Sequence, residues 1–253
     1  MSKTFVIANQ KGGIGKTTTA TTLAGILAKK GKTLLIDADQ QCNSTSTYQA
    51  QVDDCPTLYD VIIDSDHLPL DEAVQHMPNG DIVASDPLLA KSEKMLDGDI
   101  DGLYHLQDAI NELSGYDYIV IDTAPSLSVI LYNCLIAADE VIIPVTADAY
   151  SLQGLTQLYD TIKSVQKRQN RDLKIAGLLL VKYSGRSNLD RQVLDKLETF
   201  AAETGTKVFD AKIRECVKVK EAQEHNRLLG DYAPKCTTME DYNAFVEELL
   251  SDE

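Results

Sequence analysis

Residues 11–18 read K-G-G-I-G-K-T-T, directly after an apolar run and directly before a stretch of helical period. That setting lets a chain close its backbone amides around phosphate. Gly12, Gly13 and Gly15 can turn their N–H groups inward, and a helix beginning at Lys16 adds the positive end of its dipole. Lys16 carries an ammonium that neutralises outer phosphate oxygens and Thr17 a hydroxyl that ligates Mg²⁺; Ile14 and Thr18 complete the loop. Two more apolar runs end in carboxylates. Residues 34–37 run into D-A-D-Q-Q-C-N-S-T, which puts Asp37 and Asp39 on one side of an extended chain, and residues 118–122 end at Asp122 in D-T-A-P-S. A glycine-rich cradle, a lysine, a hydroxyl and acids at strand tips are the parts that phosphoryl transfer with a divalent cation requires.

These groups can meet only if strands carry them to a common edge. Val-, Ile- and Leu-rich runs alternate with helical periods, the pattern of β-α-β units around a mostly parallel sheet. Strands are expected at 4–8, 33–37, 81–84, 118–122, 140–145, 174–181 and 207–209, and helices at 16–30, 103–113, 126–137, 152–169, 190–204 and 239–250. The expected fold class is α/β, a doubly wound, mostly parallel sheet flanked by helices, whose strands bring their carboxyl ends to the edge occupied by the loop after the first strand. No low-complexity linker, repeat or Pro- or Gly-rich hinge interrupts the chain, so residues 1–253 read as a single domain with 45–115 as an acidic elaboration. The glycine-rich turn begins ten residues in, which leaves no room ahead of it for a helix-turn-helix module. Sequence-specific operator binding is therefore not expected.

The 253 residues include 24 Lys plus Arg against 39 Asp plus Glu, a net charge of −15, and 43% apolar types. A chain of this length buries a core without covalent staples, and its composition excludes disorder or a coiled coil as whole-chain descriptions. Cys42, Cys55, Cys134, Cys216 and Cys236 form no C-x-x-C pair and are odd in number, which argues against a disulfide framework or a clustered metal site and for a reducing cytoplasm. The first residues lack a charged-then-apolar leader, and nowhere do about eighteen apolar residues run together. Charge is unevenly spread. Residues 45–115 hold 15 acidic and 2 basic side chains, whereas 160–220 hold 14 basic and 8 acidic, so the second stretch can meet an anion despite the overall sign.

The usual phosphate loop has glycine five positions before its Gly-Lys pair; here Gln10 stands in that place and a second lysine, Lys11, follows it. This resembles the deviant Walker A loop of the ParA/MinD family of ATPases, in which the first lysine crosses a dimer interface to the partner's nucleotide. The logic is that of an arginine finger, a cation delivered to phosphate charge when a second subunit arrives. The resemblance implies ATP and Mg²⁺ as cofactors, residues 11–18 as the ATP-binding loop, and Lys11 and Lys16 as the cations that stabilise developing charge. It implies Thr17 and Asp122 as the metal's holders, Asp122 directly or through water, and Asp39 as the acid that positions the attacking water, with Asp37 as the competing candidate. The family carries Pro-Gln-Gly after that acid. Gln40, Gln41 and Cys42 depart from it, so the segment is expected to bend differently, while Asn43, Ser44 and Thr45 should still respond to a γ-phosphate.

The run E-V-I-I-P-V-T-A-D-A-Y-S-L-Q-G at 140–154, with L-T-Q-L-Y-D-T-I after it, is similar to the ParA partition ATPases, and the likeness weakens only between 45 and 115. The MinD branch ends in a basic amphipathic helix that lies on membranes; here the end reads E-D-Y-N-A-F-V-E-E-L-L-S-D-E, and no membrane partner is expected. Iron-protein relatives use two loop cysteines, and Cys134, within L-Y-N-C-L-I, reads instead as a core residue. In the partition branch DNA is bound by basic residues late in the chain, and Arg186, Arg214, Lys218 and Lys220 match them. With no aromatic interleaving, non-specific double-stranded DNA is the expected ligand. The resemblance further implies a homodimer on ATP binding, a ParB-like centromere-binding or cargo-adaptor partner that stimulates hydrolysis, and a cytoplasmic, nucleoid-associated location. The alternatives are a MinD-like membrane-cycling regulator and a metabolic ATP-dependent enzyme on the same fold.

Overall fold

The computed structural model describes residues 2–63, 68–96, 99, 101–148, 151–185 and 188–251. Eight strands, β1 (Lys3–Ile7), β2 (Thr33–Ala38), β3 (Val74–Met77), β4 (Gly80–Val83), β5 (Tyr118–Thr123), β6 (Glu140–Thr146), β7 (Lys174–Tyr183) and β8 (Ile213–Arg214), form one sheet in the order β3-β4-β2-β5-β1-β6-β7-β8. All neighbours are parallel except the edge pair β3 and β4. The helices are α1 (Lys16–Leu27), α2 (Asn43–Tyr48), α3 (Leu58–Ile63), α4 (Ser92–Met95), α5 (His105–Glu112), α6 (Val129–Ala137), α7 (Ser151–Arg168), α8 (Asn188–Thr204), α9 (Val217–Glu224), α10 (Leu229–Tyr232) and α11 (Thr237–Ser251).

The apolar runs become strands because both faces of the sheet are covered. Alternate side chains serve opposite layers. Phe5, Ile7, Leu35, Val120, Ile142 and Leu179 pack with residues of α1, α10 and α11, while Val6, Leu34, Ile36, Ile121, Val141 and Leu180 pack with residues of α3, α5, α6, α7 and α8. Each such fully buried side chain contributes roughly 1.5–3 kcal/mol. Helix α1 is buried nearly all round, including Thr19, Thr21 and Thr22. Thr21 returns its hydroxyl to the Thr17 carbonyl at 2.8 Å and Thr19 meets the Tyr242 hydroxyl at 2.9 Å, whereas the buried Thr22 hydroxyl has no hydrogen-bond partner.

Register brings the chemistry together. Both Ile7, the last residue of β1, and Asp37 lie opposite Asp122, so the glycine-rich loop leaves the sheet beside the tips of β2 and β5. The acidic stretch supplies α2 to α5 and the hairpin of β3 and β4, which extends the sheet beyond β2.

The structure departs from the periodicity at the far edge. The strand expected at 207–209 is reduced to a bridge between Leu178 and Val208. Just past it, Phe209 stacks edge-on against Phe245 at 4.9 Å, and Glu248 takes the N–H groups of Asp210 and Ala211 at 2.8 and 2.9 Å. The chain is thereby drawn toward α11 before it rejoins the sheet as β8.

Candidate active site

At the carboxyl edge of the sheet a cleft of about 570 Å³ is walled by the whole of residues 12–18, by Asp39, Gln41 and Asn43, and by Ile213 to Cys216, Val219, Lys220 and Gln223, with Thr238 and Tyr242 also in its lining. Gly13 and Gly15 stand at φ +70° and +96°, left-handed conformations in which a Cβ is strained, and a Cβ built on Gly12, Gly13 or Gly15 would meet nothing within 4 Å. The loop is an open cradle at the start of α1, as phosphate binding requires. Ile14 is its anchor, turned into the protein at 2% exposure.

Lys16 is nearly buried, and its ammonium donates to the Lys11 carbonyl at 3.2 Å. Burial holds it below the ordinary lysine range against the opposing pull of Asp122 and Asp39. Lys11 lies outside the cleft lining. Its backbone N–H bonds to Asn9 Oδ1 at 3.0 Å, and its ammonium pairs with Asp148, in the turn after β6, and meets Thr146 Oγ1 at 3.4 Å. Asn9 in turn donates to the Pro144 carbonyl at 2.7 Å, which ties the start of the loop to β6.

The two acids after β2 part company. Asp37 has no exposure: Oδ2 accepts from the Thr45 N–H at 2.7 Å and the Thr45 hydroxyl at 2.8 Å, and Oδ1 accepts from the Asp39 N–H at 3.2 Å. Asp39 reaches the cleft instead, its Oδ1 accepting from the Gln41 N–H at 3.0 Å. The expected alternation fails because β2 stops at Ala38 and the chain turns at Asp39. Cys42, where the family has glycine, takes φ +54° and opens α2, so the altered segment keeps a tight left-handed bend. Asn43 lines the cleft, Ser44 donates to Asp122 Oδ2 at 2.8 Å, and the Thr45 hydroxyl also accepts from the Ser85 N–H at 2.9 Å.

Asp122 is fully buried, and burial pushes its carboxyl up to about 6 against the stabilising Ser44 and Thr17 hydroxyls. Its Oδ1 has no hydrogen-bond partner. A buried carboxylate oxygen left open beside Thr17, at the foot of an empty-sided glycine cradle, fits Mg²⁺ carried by a nucleotide. Among the described residues no group of three or more His, Cys, Asp or Glu is placed to hold a metal ion.

A family model described as an AAA domain matches residues 2–175. Over 258 residues and the full length of both chains the protein is 36% identical to the sporulation initiation inhibitor protein Soj of Bacillus subtilis, and it is 37% identical to the chromosome partitioning protein ParA of Caulobacter vibrioides over 99% of this chain and 95% of that one. It belongs to the ParA family of partition ATPases. The fold of this ParA-family chain is shared with the McdA–ATP complex of Cyanothece, at TM-score 0.87 and 28% identity over 99% and 96% of the two chains. It is shared too with a cobyrinic acid a,c-diamide synthase of Mycobacterium smegmatis bound to an ATP analogue and magnesium, at TM-score 0.86 and 29% identity over 99% and 94%. Like its relatives it is an ATPase, and its cofactors are ATP and Mg²⁺.

Of the four expected DNA-contacting cations, the three that the structure describes each pair with a carboxylate. Arg186 lies outside the described residues. Arg214 forms a bidentate pair with Asp241, with contacts from 2.6 to 3.1 Å; Lys218 pairs with Glu221 at 2.7 Å and Lys220 with Glu215 at 3.6 Å. Arg214 and Lys220 also line the cleft, and Lys218 does not. Reasoning from the sequence did not find Gln223, whose amide donates to the Thr18 hydroxyl at 3.1 Å, nor Lys182 and Tyr242 in the cleft wall. No local pattern marks them, because their partners lie far away in the chain.

Proposed function

We propose that this ParA-family ATPase is a DNA-segregation or cargo-positioning switch that dimerises around two ATP molecules, binds double-stranded DNA without base preference in that state, and is released by hydrolysis stimulated by a ParB-like or cargo-adaptor partner. The observation that carries the reading is the cleft: Lys16, the open glycine cradle, Thr17 and Asp39 gather at the sheet edge where β5 ends in Asp122 with its unpartnered Oδ1.

Bound Mg²⁺·ATP supplies the transferable γ-phosphoryl group with its charge partly neutralised. The amides of residues 12–18 orient the phosphates, and Lys16 exchanges the Lys11 carbonyl for phosphate oxygen. Thr17 and Asp122 hold the metal. Asp39 orients a water with the carboxylate oxygen that Gln41 leaves open. Lys11 leaves Asp148 for the phosphates of the second subunit, so the cation that completes the site arrives with assembly. α11 turns Tyr242, Phe245, Val246 and Leu249 into the core, which leaves its acidic face outward and favours this reading over a membrane-cycling one.

Light scattering and phosphate release on Lys11→Ala and Asp39→Ala test the assignment. Lys11→Ala should bind ATP yet form no ATP-dependent dimer. Asp39→Ala should form the dimer and lose at least about tenfold in turnover. An unchanged ATP dimer in Lys11→Ala, or wild-type hydrolysis in Asp39→Ala, would overturn it.

A further inference from the structure

Lys182 carries a feature that the phosphate-loop motif does not include. On β7 Val181 pairs with Ile213 and Tyr183 with Arg214, so Lys182 is an extra residue in the ladder, and it stands at φ +54°. Bulges of this kind next to active sites re-aim a side chain, and a lysine held in the left-handed region is uncommon enough to call for a reason. Here the re-aimed ammonium crosses to the glycine-rich loop and donates to the Gly13 carbonyl at 2.6 Å. It does so from the wall of the cleft itself.

The loop needs such a hold. Gly12 and Gly13 have no side chains, and a Cβ at either would have no neighbour within 4 Å, so packing does not fix these peptides. Lys16 restrains the loop through the Lys11 carbonyl, but that ammonium is the one that must turn to phosphate. Lys182 approaches from another strand. Because a trans peptide is planar, with its C=O and following N–H pointing in opposite directions, a charge-assisted bond to the Gly13 carbonyl also sets the Ile14 N–H.

We propose that Lys182 is a positioning residue of the nucleotide site: through the Gly13 carbonyl it pre-organises the loop amides that receive the phosphates. This rests on the ATP-binding reading of the cleft. The backbone amides of such a loop cradle phosphates that ATP and ADP share, so the loss of Lys182 should weaken both nucleotides equally.

The test is equilibrium titration of the full chain with N-methylanthraniloyl-ATP and N-methylanthraniloyl-ADP in Mg²⁺, for wild type, Lys182→Met, Lys182→Arg and Lys182→Gly. Lys182→Gly removes the ammonium while suiting the positive φ, so it keeps the test available if Lys182→Met fails to fold. The expected result is a loss of about tenfold in affinity for both nucleotides in the Met and Gly variants, with most of it recovered in Lys182→Arg and an unchanged melting temperature without nucleotide. Affinities within about twofold of wild type, or a loss confined to ATP, would overturn the proposal. A wild-type chain that binds neither nucleotide would instead sink the reading of the cleft on which it rests.

Discussion

Asp37 and Asp122 are cross-strand neighbours at the tips of β2 and β5, and neither touches solvent. Burial, reinforced by the Asp122 charge, pushes the Asp37 carboxyl up to about 7, and burial pushes Asp122 up to about 6. A carboxyl whose folded value is raised binds protons more tightly in the native state than in the unfolded one. Its contribution to stability is therefore complete below the ordinary carboxylate range and is lost as pH rises through the folded value. The nucleotide-free protein should melt at a higher temperature near about pH 5.5 than near about pH 8, and Asp37→Asn should flatten most of that dependence. Calorimetric scans that show the opposite slope would mean that the two acids are ionised together in the folded protein. The sequence placed both acids of the D-A-D run on the same side; it did not show that β2 ends between them.

The long apolar strands were legible from their composition because a segment buried on both faces has little choice but to be apolar throughout. Of the short elements, β4 was expected at 81–84 and others were not. β3 carries Gln75 and His76 and β8 has only two residues, while α2, α9 and α10 run four to eight residues, less than the three or so turns over which helical periodicity becomes distinct. Asn133 shows how elements are joined where pattern is silent. From α6, fully buried, it donates to the Gly102 carbonyl at 2.8 Å and accepts from the Leu106 N–H, one of the otherwise unpaired donors in the first turn of α5, at 3.2 Å. Asn133→Ala leaves both groups unpaired in the core and should cost about 2–3 kcal/mol. Urea unfolding would show this as a lower midpoint at unchanged slope; a cost below about 0.5 kcal/mol would mean that water replaces the amide.

At the scale of the molecule the charge arithmetic and the geometry pull apart. The net-positive stretch exists in the sequence, yet Arg214, Lys218 and Lys220 each face a carboxylate. A single subunit at −15 thus offers little to DNA at Debye lengths of about 8 Å, whereas an ATP dimer that aligns two copies doubles the contacts. We expect binding to be ATP-dependent and indifferent to sequence, with a log-log salt slope of roughly −4 to −5 if four to six phosphates are engaged. Lys218 is the clean probe, since it lies off the cleft. Lys218→Ala should weaken all sequences alike and flatten the slope by about one. Equal affinity with ADP and ATP in a filter-binding assay, or no effect of Lys218→Ala, would return these lysines and arginines to the solvated surface.

The glycine cradle, the positions of the central strands and the convergence of loop and acids on one sheet edge could be read without coordinates. They follow from near-neighbour rules: which residues tolerate positive φ, which runs must be buried, and where parallel strands end. Three matters needed the folded chain: that Asp39 and not Asp37 meets the cleft, that Lys182 reaches Gly13, and that Arg214 is held by Asp241. Lys182 and Gly13 are 169 positions apart and Arg214 and Asp241 are 27 apart. Contacts between residues so distant are set by how strands register and helices dock, and no local pattern of residue types encodes them.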